Sequence, residues 1–279
     1  MGVAQSMFSR ALPAVFLFLL ALGGTALAAP TEAERAARWA DLRHAIFGEH
    51  PVEDAGDRVA IEAPDRAEDA AIVPVTIKIS GQLAKDVHGL YLVIDYNPSP
   101  LAAHFLFGPL ADASHIETRV RIDDYTYMHA VAETADGRLY AAARFIKAAG
   151  GCSAPAGKDQ ALALKRLGKM KLVLGEHQKS DLPQQAKLLI SHPNNSGLQV
   201  DQLTHYYIPA DFMQTLKVTY NDKLVFKLES DIAISEDPTF NFAFNQTPPG
   251  SAGMLTAEIL DSNQRHFTQS WPVPATPQM

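Results

Sequence analysis

The sequence predicts an all-β protein of two β-sandwich lobes preceded by a short helix. Three observations carry that expectation. Apolar and polar residues alternate in many short runs, turn-forming residues separate the runs, and one segment rich in Gly, Ala and Pro divides them into two blocks of similar size.

The first 28 residues read as a secretory signal. Arg10 supplies one positive charge, Ala11–Leu22 is an apolar run, and Ala26-Leu27-Ala28 is a small-residue cleavage site. The run is too short for a membrane span, and no lipid-anchoring cysteine follows it. The expected destination is the periplasm after cleavage, with no stable membrane insertion. Cleavage removes Arg10 and moves the net charge from -7 to about -8. An acidic mature chain argues against nucleic acid or anionic lipid as partner and fits a basic protein surface.

Thr31 and Glu34 form a capping-box pattern, and Trp39, Leu42 and Ile46 follow on one helical face, suited to covering a side or end of a sheet. His50 to Asp57 reads as a loop. Val59 and Ile61 alternate before Pro64-Asp65, and Val73, Val75, Ile77 and Ile79 keep a period of two. Leu90–Ile94 is continuously apolar, as in a central strand, and Asn97-Pro-Ser-Pro100 ends it. Further strands are expected at 104–107, 118–122, 127–132 and 140–146, the last two joined by Asp136-Gly137. The second block begins near Leu167, with strands around 187–190, 216–220 and 224–228, the latter two joined at Asn221-Asp222. Phe240, Phe242 and Phe244 line one strand face and read as sheet core, and Met254–Leu260 and His266–Trp271 read as a closing hairpin around Asp261-Ser-Asn263.

The functional lead lies between the blocks. Cys152 is the only cysteine, in Lys147-Ala-Ala-Gly-Gly-Cys-Ser-Ala-Pro-Ala-Gly157. An unpaired thiol in an exported chain suggests reactivity rather than packing. Gly150, Gly151, Ser153 and Pro155 read as elements of a flexible arm, on which the thiol would keep an ordinary pKa of about 8.5. An incidental free cysteine in a linker is the plain alternative. A self-contained thiol enzyme would need a histidine base beside the sulfur, and neither His129 nor His192 has a supporting local motif. The histidines lack metal-ligand spacing, there is no CxxC pair or nucleotide-binding glycine loop, and Asp123-Asp124 reads as a solvated strand end. No cofactor, metal or catalytic residue is expected from these patterns.

The chain resembles a fusion of the two sulfur-oxidation carrier subunits, SoxY and SoxZ. In the first part the resemblance lies in Ala63–Val75, Asn97–Pro100, Glu117-Thr-Arg-Val-Arg-Ile122, Asp136-Gly137 before Tyr140, and Gly150-Gly-Cys152. In the second it lies in Leu189-Ile-Ser-His-Pro193, Gly197, Tyr207-Ile-Pro-Ala210, Tyr220-Asn-Asp-Lys223, and Ile234-Ser-Glu-Asp-Pro238 leading to the phenylalanine stripe. It is similar to the fused SoxYZ-like carriers associated with quinoprotein dehydrogenases.

The resemblance implies two immunoglobulin-like sandwiches: a SoxY-like domain over 29–147 and a SoxZ-like domain over 167–279, with the cysteine-bearing arm over 148–166. It implies a non-enzymatic periplasmic carrier whose swinging arm holds thiosulfate-derived intermediates on Cys152. Periplasmic c-type cytochromes, hydrolases or a quinoprotein dehydrogenase would supply the chemistry. His192 is a candidate for the interdomain or docking surface, and a disulfide-linked homodimer is a further expectation for an exposed thiol. Two departures stand out. The family arm ends the SoxY chain as Gly-Gly-Cys-Gly-Gly, whereas this chain continues through Ser153-Ala154-Pro155. His192-Pro193 is followed by Asn194-Asn195-Ser196-Gly197 rather than Met-Glu-Thr-Gly. A looped arm reaches less far than a free end and is bulkier at its tip. The main alternative is a non-covalent docking module for a quinoprotein dehydrogenase, in which Cys152 is dispensable.

Overall fold

A computed structural model of the protein describes residues 29–155, 160–176 and 182–275. The signal expected over 1–28 and residues 156–159 of the arm lie outside this range. Residues 29–31 form a short non-helical lead. From Glu32 onward the chain forms one unit.

Helix α1 (Glu32–Phe47) is followed by β1 (Val52–Asp54), β2 (Val59–Glu62), β3 (Val73–Ile79), the single turn α2 (Leu83–Asp86), β4 (Val87–Ile94), β5 (Leu101–Phe107), β6 (Ala111–Val120), β7 (Thr126–Thr134) and β8 (Leu139–Ile146). After the arm come α3 (Gln160–Arg166), β9 (Met170–Leu174), β10 (Gln184–Ile190), β11 (Met213–Tyr220), β12 (Lys223–Ser230), β13 (Thr239–Phe244), β14 (Gly253–Asp261) and β15 (His266–Val273).

These strands make two sheets. One has nine strands in the order β1-β8-β7-β4-β5-β12-β11-β14-β15, and the other six in the order β2-β3-β6-β13-β10-β9. Each sheet therefore draws strands from both halves of the sequence. The halves join edge to edge twice. In the larger sheet β5 pairs antiparallel with β12, with Phe105 opposite Leu228 and Phe107 opposite Phe226. In the smaller, β6 pairs with β13, with Glu117 opposite Asn241 and Ala111 opposite Phe244.

The sheets face each other across one apolar core. Phe105 of the first half meets Phe240 of the second edge-on at 6.3 Å between ring centroids, and Phe226 meets Phe242 at 5.1 Å. Phe240, Phe242 and Phe244 are all buried, as the alternating pattern predicts. A smaller cluster of Phe47, Val131 and Leu139 lies on the outer face of the nine-stranded sheet, with Trp39 and Ile46 of α1 against it. The helix thus covers the sheet face, and Trp39 stacks on His129 at 3.6 Å.

Two local readings need correction. The stretch taken as a loop from His50 to Asp57 contains β1, which pairs in parallel with β8 through Val52 and Leu139. Three residues are too few to show a period. The segment expected to be flexible from 148 to 166 contains α3, whose sequence Gln-Ala-Leu-Ala-Leu-Lys-Arg consists of strong helix formers. Among the described residues, no helix is long and apolar enough to cross a membrane.

Because Phe240 packs across both the sheet interface and the seam, Phe240→Ala should cost about 3–5 kcal/mol. Urea denaturation followed by tryptophan fluorescence should show one earlier transition, with both halves unfolding together.

Candidate functional site

Cys152 lies just past β8 on a segment outside both sheets, and its residue exposure is 0%. The expected exposed thiol is a buried one here, because the arm's backbone is paired on several sides. Gly150 donates its N–H to the carbonyl of Asp123 at 2.7 Å, and Gly151 to that of Ile122 at 2.9 Å. Cys152 N–H donates to the Asp123 carboxylate at 3.3 Å. Asp123, read from sequence as a solvated strand end, is therefore part of the site.

Of the residues expected to loosen the arm, the two glycines have distinct physical roles. Gly150 adopts φ +76°, where a side chain is strained. Gly151 is a close-approach position: a Cβ there would lie 2.0 Å from the Ala70 carbonyl oxygen and 2.6 Å from that of Ile122. Ser153 and Pro155 are exposed, and the Ser153 hydroxyl donates to the Gly150 carbonyl at 3.3 Å.

The second half closes over the arm with the segment after His192. The Ser196 hydroxyl donates to the Cys152 carbonyl and accepts from Leu198 N–H at 3.2 Å. The Gln199 amide donates to the Ala154 carbonyl at 3.0 Å, while its oxygen accepts from Ser196 N–H at 3.0 Å. From the first half, Arg121 donates to the Gly151 carbonyl and also to the Asn194 carbonyl, each at 3.3 Å. Arg121 is 2% exposed, and its Nε–H has no hydrogen-bond partner. Sequence reading missed Arg121, Ser196 and Gln199 as contacts of the arm, and Asn194 as a partner of Arg121. The only available signal was their presence in or beside the phrases that carried the family resemblance.

Burial pushes the Cys152 thiol up to about 12; the Asp123 charge adds to this rise and the Arg121 charge opposes it. The docked sulfur is thus a protonated thiol, not an activated thiolate. Among the described residues no histidine bonds it: His129 bonds the buried Asp95 at 3.2 Å and stacks on Trp39. His192 belongs to a different network.

His192 is 1% exposed, so it is an interior residue rather than part of a docking surface. Its Nδ1 accepts from Asn194 N–H at 3.1 Å, which leaves the proton on Nε2, 3.4 Å from Asp261 and 3.7 Å from Asp211. Burial lowers the His192 pKa against the pull of those carboxylates. The donor atoms of His192, Asp211 and Asp261 lie within 4.8 Å of one another, close enough to suggest a cation. The cation is already supplied by the protein: Arg265 Nε donates to Asp261 at 2.6 Å and its Nη2 to Asp211. This polar knot supports the Asn194 loop that closes on the arm.

Two consequences are testable. A free thiol titrates near 8.5 and the docked one near 12, so docking favours the protonated form. That preference is complete below about 8.5 and is lost as pH rises towards 12. Hydrogen exchange of residues 150–152, corrected for intrinsic rates, should therefore show protection falling above pH about 8.5 in the wild type and staying flat in Cys152→Ser. Separately, Arg265→Met leaves two close carboxylates without their cation and should cost about 3–5 kcal/mol in urea denaturation.

The sequence has counterparts among known protein families. The family described as sulfur oxidation protein SoxY matches residues 43–152, ending on the cysteine. The family described as sulphur oxidation protein SoxZ matches residues 171–272. A search of curated proteins gives no match. Among solved structures, the sulfur carrier protein SoxY from Chlorobium limicola f thiosulfatophilum is 28% identical, covering 42% of this chain and 96% of that one, with a TM-score of 0.36. SoxY and SoxZ are carrier families rather than catalysts. The chain belongs to them, with a SoxY domain and a SoxZ domain joined in one polypeptide.

Proposed function

We propose that this SoxY–SoxZ carrier holds a sulfur-containing intermediate covalently on Cys152 and presents it to separate enzymes. The observation that carries the reading is the way the sole cysteine is mounted. It follows β8 on a segment that belongs to neither sheet, and the hydrogen bonds that hold that segment run through the backbone of Gly150 to Ala154. Releasing that segment breaks a handful of hydrogen bonds and leaves both sheets paired. The docked arm hides the sulfur, so loading and delivery each require the arm to leave its seat. Burial of the sulfur also disfavours a disulfide-linked dimer while the arm is docked.

The partners that fit are periplasmic enzymes that build or cleave a sulfur–sulfur bond: c-type cytochromes, hydrolases or the redox partners of a quinoprotein dehydrogenase. Thiosulfate-derived groups are the cargo class that the family suggests, and the two sheets with the Asn194–Gln199 segment frame the point of presentation. Burial of a protonated thiol also favours a second reading. In it the joined sandwiches dock a quinoprotein dehydrogenase and the cysteine is a packing residue.

Intact mass spectrometry of the processed protein from its native periplasm separates the two, before and after reduction and with Cys152→Ser alongside. The carrier reading expects a reducible adduct confined to Cys152 and loss of function in the variant. A uniformly unmodified thiol in actively oxidising cells, with a functional Cys152→Ser protein, would establish the docking module instead.

A further inference from the structure

Arg121 is a charge without a counter-charge. Its guanidinium is almost wholly buried, and among the described residues no carboxylate forms an ion pair with it. Its Nη1 and Nη2 reach two neutral carbonyls at 3.3 Å, long for such bonds, and its Nε–H is unpartnered. A guanidinium cannot shed its proton at any attainable pH, and burying it without an anion is among the costlier arrangements in a protein interior. The charges of Glu236 and Asp69 also act on it, though its side-chain hydrogen bonds go to neither.

The group best placed to supply the anion is on the arm itself. Arg121 holds the carbonyl of Gly151, the residue before the thiol, and its charge acts on Cys152. Asp123 is the opposing charge beside Cys152, but it is half-exposed and engaged with the Cys152 N–H. A planar guanidinium with a free Nε–H is also shaped to meet the oxygens of a sulfonate.

We propose that Arg121 is the residue that makes the docked arm selective for its load, favouring a group that keeps the Cys152 sulfur neutral but carries negative charge on oxygens beyond it, within reach of the free Nε–H, over an uncharged group. The proposal rests on the carrier reading and adds to it a retention step: an anionic load draws the arm back to Arg121, whereas a neutral load gains nothing there.

Two reagents load the thiolate with opposite charge types. Tetrathionate transfers a thiosulfate group: the thiolate sulfur bonds to an inner sulfur, the central S–S bond breaks, and thiosulfate dianion leaves. Methyl methanethiosulfonate transfers a methylthio group: the S–S bond of the reagent breaks and methanesulfinate leaves. Hydrogen exchange over Lys147–Ala154 of the full-length protein then reports docking for each adduct.

The thiosulfate adduct should exchange about tenfold more slowly than the methylthio adduct in the wild type. Arg121→Gln should abolish the difference and Arg121→Lys should keep part of it. Equal exchange of the two adducts in the wild type, or an undiminished difference in Arg121→Gln, would overturn the role of Arg121. Should Arg121→Gln fail to fold, the wild-type comparison decides alone. Failure of both reagents to modify Cys152 would instead overturn the carrier reading, and the proposal with it.

Discussion

The architecture depends on a double seam of strand pairing between the two halves of the chain. An open sheet edge exposes unpaired N–H and C=O groups, and each half has such an edge in both layers. Pairing β5 with β12 and β6 with β13 satisfies all four edges together. It also brings Phe105 and Phe240, from different halves and different sheets, into one core. With the seam closed, the chain after β12 runs alongside the end of β6, where Ala233 accepts the Arg121 N–H at 2.7 Å and Ser235 donates to Ala71 at 2.8 Å. The seat of the cysteine is built at that junction.

The seat balances attachment against release. Apart from the buried thiol, the arm is held by a set of hydrogen bonds to its backbone groups. A typical one contributes only about 0.5–1.5 kcal/mol net, so several can retain the arm without making its departure prohibitive. Gly151 is essential to this geometry because any side chain would strike the Ala70 and Ile122 carbonyls. Electrostatics adds a second level. Burial and Asp123 favour a neutral Cys152 sulfur, whereas Arg121 favours negative charge beside it. The occupied seat therefore depends on what the sulfur carries, and this links a packing detail to the work of a carrier.

The His192 network shows how interior chemistry can resemble a functional site. A histidine and two aspartates within ligand distance have the appearance of a metal centre. Arg265 bridges both carboxylates, and the Asn194 N–H fixes the imidazole tautomer. The outcome is a rigid support under Asn194, whose carbonyl meets Arg121 and whose side chain bonds the carbonyls of Ile234 and Ser235. Support for the arm thus passes through residues in the part of the sequence that departs from the usual family phrase.

The strands were legible because their information is local. Val73 to Ile79 alternates, Asn221-Asp222 turns with both φ angles positive, and the phenylalanine stripe keeps one face, all within a few residues of chain. The cysteine was legible too, as a lone thiol among small residues in a chain with the phrases of a carrier family. Its environment was not legible. Burial of Cys152, the loss of Gly151's apparent freedom and the recruitment of Asp123 arise from contacts with residues tens of positions away. Sequence alone determined the β class, the helix on its flank and which atom is the functional candidate, because periodicity and composition are carried along the chain. Only the tertiary structure decided that both sheets run through both halves, that the thiol is docked and protonated, and that Arg121 faces the arm. Strand-edge pairing, desolvation and charge proximity are properties of positions in space.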